Sequence, residues 1–131
     1  MKTLINIKVK NAIDAIDSFS EIMTQNVKGS LAFKVSRLVR ELNKELDTFN
    51  EERRKLIEKY ALRDENGDIV TTEEGNIKLI PESIKECDEE FMSLLNTEIE
   101  INAGKLSMKD VDEFNITPEK IDYLMYFIEE E

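Results

Sequence analysis

The chain has 131 residues, 40% of them hydrophobic and 36% charged, with a net charge of -11. That length suffices for one domain with a core of its own, without metal or disulfide staples. The absence of histidine removes the usual proton shuttle and every histidine-containing metal site or triad, and the single Cys87 excludes an internal disulfide framework.

Ile5, Ile7 and Val9 alternate with Asn6, Lys8 and Lys10, the period of a half-buried strand. Asn11 is placed to cap a helix running to about Asn26, with Ile13, Ile16, Phe19, Ile22 and Met23 on its buried face. Gly29 and Ser30 mark a break. Beyond it, Leu31, Val35, Leu38, Leu42, Leu46, Phe49, Arg53, Leu56 and Tyr60 recur at steps of three and four. The mean step of about 3.6 residues is that of an α-helix. One uninterrupted helix over about Ser30 to Tyr60 is predicted, approaching ~45 Å in length. A rod of that length is expected to outrun a small core and to leave apolar turns for a second helix, from this chain or another copy.

Asp64-Glu65-Asn66-Gly67-Asp68 is a turn signal, flanked by Ile69 and Val70 as a short strand. Ile77 and Leu79 form a second one after Glu74-Gly75-Asn76. Pro81 opens the next helix, with Ser83 as a competing cap, and Ile84, Cys87, Phe91, Leu94 and Leu95 give it an apolar face to about Asn96. It is expected to fold back on the long helix, making a helical hairpin of about residues 30–96. Glu98 to Asn102 alternates as a strand that pairs with Lys78-Leu79 or with the N-terminal strand. Ser107 and Asp110 fit a capping box. Thr117 and Pro118 open a terminal helix that buries Ile121, Leu124, Met125 and Ile128. Glu129, Glu130 and Glu131 then set carboxylates at its C-terminus, against the helix dipole. The expected fold is α+β over a single domain, 1–131: a long helix paired with a second helix, a small antiparallel β-sheet and a C-terminal helix.

Little of this is catalytic vocabulary. Asp64, Asn66 and Asp68 resemble a calcium loop, but its required glycine falls on Ile69 and its twelfth-position carboxylate on Gly75. Gly29, Gly67, Gly75 and Gly104 are scattered and form no phosphate loop. Cys87 sits between Ile84 and Phe91 as a core residue would, and acidic pairs such as Glu73/Glu74 read as solvated faces. No enzyme activity, metal or cofactor is expected. No apolar run reaches 18 residues and the first residues lack a signal-peptide core, so neither a membrane span nor secretion is expected.

Charge is unevenly placed. Residues 1–60 carry 12 Lys/Arg and 9 Asp/Glu, residues 61–131 carry 6 and 20. The acidic half would repel a phosphate backbone, and the basic residues of the long helix are interleaved with acids, so direct nucleic-acid binding is not expected.

The stretch Phe49-Asn50-Glu51-Glu52-Arg53-Arg54-Lys55-Leu56-Ile57-Glu58-Lys59-Tyr60, the following Asp64-Glu65-Asn66-Gly67 and the Ile116-Thr117-Pro118 helix start resemble a family of small uncharacterised proteins from phages and prophages of Gram-positive bacteria. The resemblance is loose but extends over most of the chain. It implies a phage or prophage setting, in the host cytoplasm or associated with the virion, and brings no catalytic residues with it. The combined expectation is a non-catalytic protein–protein interaction or assembly protein whose partner is itself or a phage or host protein. Leu38, Leu42, Leu46, Phe49, Arg53 and Leu56 are its expected contact residues. The alternative is an acidic inhibitor of a host nucleic-acid-binding protein, in which Glu89, Glu90 and Asp112 imitate phosphates.

Overall fold

Alternating exposure runs along β1 (Leu4–Lys8), where Ile5 and Ile7 point into the core. The computed structural model describes residues 4–129. Helix α1 (Val9–Met23) follows β1 without a loop. It starts two residues before Asn11, with Lys8 at its N-cap and no side-chain capping bond there. Asn11 is not the cap; its amide donates to the Tyr126 hydroxyl at 3.2 Å. The buried face of α1 is Val9, Ala12, Ala15, Ser18, Phe19 and Ile22, which leaves Ile13 and Met23 exposed. The expected face was therefore rotated, because the side turned inward is lined with small alanines rather than the larger isoleucines. Ser18 is buried but satisfied, its hydroxyl donating to the Lys120 carbonyl at 3.0 Å.

Helix α2 spans Gly29–Tyr60, 32 residues without a break. Helix α3 covers Ile84–Leu95 after a 3₁₀ turn at Pro81–Ser83, and Ser83 makes no capping bond. β2 (Glu98–Asn102) pairs antiparallel with β1, Ile5 opposite Ile101 and Ile7 opposite Ile99. This resolves the choice of partner for that strand. Helix α4 (Met108–Val111) opens with the expected capping box, in which the Ser107 hydroxyl accepts from the Asp110 amide and the Asp110 carboxylate from the Ser107 amide. Helix α5 (Pro118–Asp122) opens with Thr117 accepting from Lys120.

The terminal helix is shorter than expected. After Asp122 the chain turns, then tightens into a 3₁₀ turn at Met125–Phe127. The change of period carries Phe127 inward in place of Met125, and Phe127 meets Phe19 edge to face at 5.4 Å. Leu106 then bridges Ile128 in parallel, so Glu129 does not extend a helix. The rest of the acidic tail, Glu130 and Glu131, lies outside the described residues.

The fold is thus α+β, with two main helices, a two-stranded antiparallel sheet and additional short helices. It divides into two units, one formed from Met1–Asp47 and Thr97–Glu131, the other from Thr48–Asn96. The first has a closed core, in which Phe19, Leu38, Leu42, Leu106, Leu124 and Phe127 are completely enclosed. Its polar seams are Glu21 with Lys120, Lys34 with Asp110 at 3.2 Å, and paired amide bonds between Gln25 and Asn115.

The second unit contains the end of α2, a turn-rich segment and α3. The strands expected around Ile69 and Ile77 are reduced to isolated bridges, Ala61–Leu79, Arg63–Ile69 and Thr71–Ile77. Three main-chain bonds close a ring instead: Leu62 donates to Lys78, Lys78 to Val70 and Val70 to Leu62. Two turns fold this segment. Asp64 accepts from the amides of Asn66 and Asp68, and Thr72 accepts from that of Asn76. Gly67 and Gly75 take φ of 83° and 86° at these turns, a region that penalises a Cβ. So tight a pair of turns leaves too little extended chain for a continuous ladder.

Candidate functional site

The apolar stripe of α2 determines what surface is left. Leu31, Val35, Leu38, Leu42, Leu46 and Phe49 are buried by the chain itself. Leu38, Leu42, Leu46 and Phe49 therefore hold the core and offer no docking surface, contrary to expectation; the rest of the protein covers more of the rod than its length suggested. Arg53 lies exposed and Leu56 half-buried, both in the Thr48–Asn96 unit.

In that unit α3 lies against the end of α2. The Phe49 and Phe91 rings stand 6.2 Å apart, tilted by 46°. Lys59 Nζ reaches Glu90 Oε1 at 3.2 Å and lies 5.0 Å from the centre of the Tyr60 ring. Glu90 is held below the usual glutamate range, first by its hydrogen bond with the Tyr60 hydroxyl and then by Lys59. The same carboxylate raises Lys59 and Tyr60 above their ordinary values. The pair is solvent-facing, so it orients the two helices more than it stabilises them.

Beside this network is a groove of about 340 Å³ between the helices. Half-buried Leu56 and Leu94 form its apolar part, and Glu52, Lys55, Lys59 and Glu90 are its charged lining. Of the sequence-predicted residues, Leu56 and Glu90 meet here. Glu89 and Arg53 are exposed in the same unit without lining the groove, and Asp112 belongs to the other unit. Leu94, Lys59 and Tyr60 were not singled out as contact residues. The helical spacing of Phe91, Leu94 and Leu95 had placed Leu94 on the apolar face, and its half-burial is what makes it a contact candidate.

Cys87 does not line the groove. Cys87 is buried next to it in sequence, and that burial, reinforced by Asp88 and Glu90, pushes its thiol up and keeps it protonated. Among the described residues no cluster of three His, Cys, Asp or Glu side chains could hold a metal ion. No helix among them is long and apolar enough to cross a membrane. No family model, curated protein or solved structure matches this chain.

The unit has an unusually open interior. Its buried hydrophobics are Phe49, Tyr60, Ala61 and Cys87, and none of them is completely enclosed. Leu56, Ile57, Leu62, Phe91, Leu94 and Leu95 are only half-covered. Ile84 and Met92 are 45% and 52% exposed.

Proposed function

We propose that this protein is a non-catalytic interaction protein that self-associates through the Thr48–Asn96 unit. The observation that carries the reading is the half-covered apolar surface of α3 and the last turns of α2. Two helices alone cannot enclose both of their apolar faces, and fully burying one leucine-sized side chain is worth about 1.5–3 kcal/mol. A second copy presenting the same surface covers both at once, with the symmetry of most small oligomers. The residues assigned to the contact are Leu56 and Leu94, which face each other across the groove, with Arg53 on its margin. The resemblance to phage and prophage proteins supplies the setting, an assembly role in the host cytoplasm or on the virion, with no cofactor and no membrane. The test is light scattering coupled to size exclusion at about 100 µM. Wild type is expected to elute as a dimer or larger, and Leu56→Lys with Leu94→Lys as a folded monomer. Identical masses for both proteins would remove the assignment.

A second reading rests on a different feature. Glu82, Glu86 and Glu89 are exposed at three- and four-residue steps on the outer side of α3 and its leading turn, and none forms an ion pair among the described residues. Such a row fits a basic cleft on a nucleic-acid-binding host protein, with Glu90 as a further acid. The two readings separate by salt. Binding through carboxylates weakens as salt rises, whereas apolar self-association of a chain with net charge -11 strengthens.

A further inference from the structure

Among the described residues β1 pairs with β2 alone, which leaves its other edge without a paired strand. Val9 donates to the Thr97 carbonyl at 2.9 Å, continuing the ladder by one pair and fixing its phase. Main-chain bonding in an antiparallel ladder alternates residue by residue. Ile5 and Ile7 therefore bond to β2, while the N–H and C=O groups of Leu4 and Asn6 point away from it. A groove of about 530 Å³ is lined by Leu4, Ile5 and Asn6 of this strand and by Met125, Tyr126 and Glu129 of the C-terminal segment. The Ile5 side chain is buried in the core, so the strand meets the groove through its main chain. Three large apolar side chains stand open along it, Leu4 at 54%, Met125 at 52% and Tyr126 at 46% exposure.

We infer that this groove takes an extended peptide segment of a partner protein, added to β1 as a third strand. The segment's main chain pairs with Leu4 and Asn6, and one of its apolar side chains lies against Leu4, Met125 and Tyr126. The chemistry of the edge selects this occupant. Alternating donors and acceptors are matched by another extended backbone, and an unpaired strand edge is a ready template for one. The two charges on the groove, Lys105 and Glu129, are of opposite sign, so an uncharged segment suits it. Met125, Tyr126 and Glu129 of the C-terminal segment wall the groove, so the added chain lies between them and β1. This site lies in the unit that does not contain Leu56 and Leu94, and the inference does not rest on self-association through them.

An NMR titration with a blocked hexapeptide of alternating threonine and valine tests the inference, performed on the Leu56→Lys, Leu94→Lys variant. Shifts and slowed exchange are expected at the amides of Leu4 and Asn6 at millimolar peptide. The same peptide N-methylated along one edge is expected to bind at least tenfold more weakly, since methylation removes the main-chain donors. Asn6→Pro deletes an outward N–H and spares the bonds to β2, and is expected to lose binding with its fold intact. Should that variant fail to fold, Tyr126→Ser replaces it, with a tenfold loss expected. Equal binding of the methylated peptide, or no change at Leu4 and Asn6, would overturn the inference. Protection of those amides that rises with protein concentration in the absence of peptide would overturn it too, in favour of a second copy as occupant.

Discussion

Two carboxylates show how individual side chains act in this protein. Burial alone would raise Asp110, but the Ser107 amide and the Lys34 ammonium, 3.2 Å away, prevail and hold it below the usual aspartate range. A depressed carboxylate contributes stability above its unfolded pKa and loses it as pH falls through the folded one. Asp110→Asn is therefore expected to cost about 1.5 kcal/mol at pH 7, the scale of a hydrogen bond to a charged group. In denaturant melts the deficit should shrink as pH falls through the folded pKa of Asp110; an undiminished gap at low pH would show that charge is irrelevant there. Glu90 is also depressed, yet it is exposed, so Tyr60→Phe should raise its titration midpoint by carbon-detected NMR with little effect on melting. Leu42 and Arg53 both lie on the α2 stripe read from sequence, but they differ in cover. Leu42→Ala should cost about 2–5 kcal/mol in chemical denaturation. Arg53→Ala should stay within about 0.5 kcal/mol, as expected for an exposed side chain away from special features.

Among the elements, the turns between α2 and α3 depend most on one residue type. Gly67 and Gly75 have positive φ and nothing within 4 Å of an added Cβ, so alanine there meets only backbone strain. Each Gly→Ala change is expected to cost about 1–2 kcal/mol in thermal melts. Gly29→Ala, at the first position of α2 and equally uncrowded, should be neutral or stabilising. These contrasts follow how legible each element was in the sequence. Nine stripe positions, eight of them apolar and none a glycine or proline, made α2 readable to within a residue. The capping signals at Ser107 and Thr117 were readable because each satisfies named amides locally. The phase of α1 was not, because Ala12 and Ala15 carry little hydrophobic weight in a pattern but allow close packing. The short α5 was not, because its break at Tyr123 and Leu124 answers to packing of Phe127 on Phe19, a contact between residues over a hundred positions apart. The groove at Leu56 and Leu94 was half readable: spacing gave the apolar positions, and only packing decides which of them stay uncovered.

For the molecule as a whole, burial is divided unequally between its two units. The unit holding the sheet has a core of completely enclosed side chains, whereas in the Thr48–Asn96 unit no hydrophobic side chain is completely enclosed and Leu56, Leu94 and Leu95 stay half-covered. Self-association through that surface has to overcome repulsion between copies of net charge -11, so it should tighten with added salt. Sedimentation equilibrium on wild-type protein, from about 5 to 300 µM at low and at ~0.5 M salt, addresses this most directly. The expected result is reversible dimerisation that is stronger in the higher salt, with a screening length there of only a few ångströms. A single monomeric mass at every concentration and both salts would contradict it.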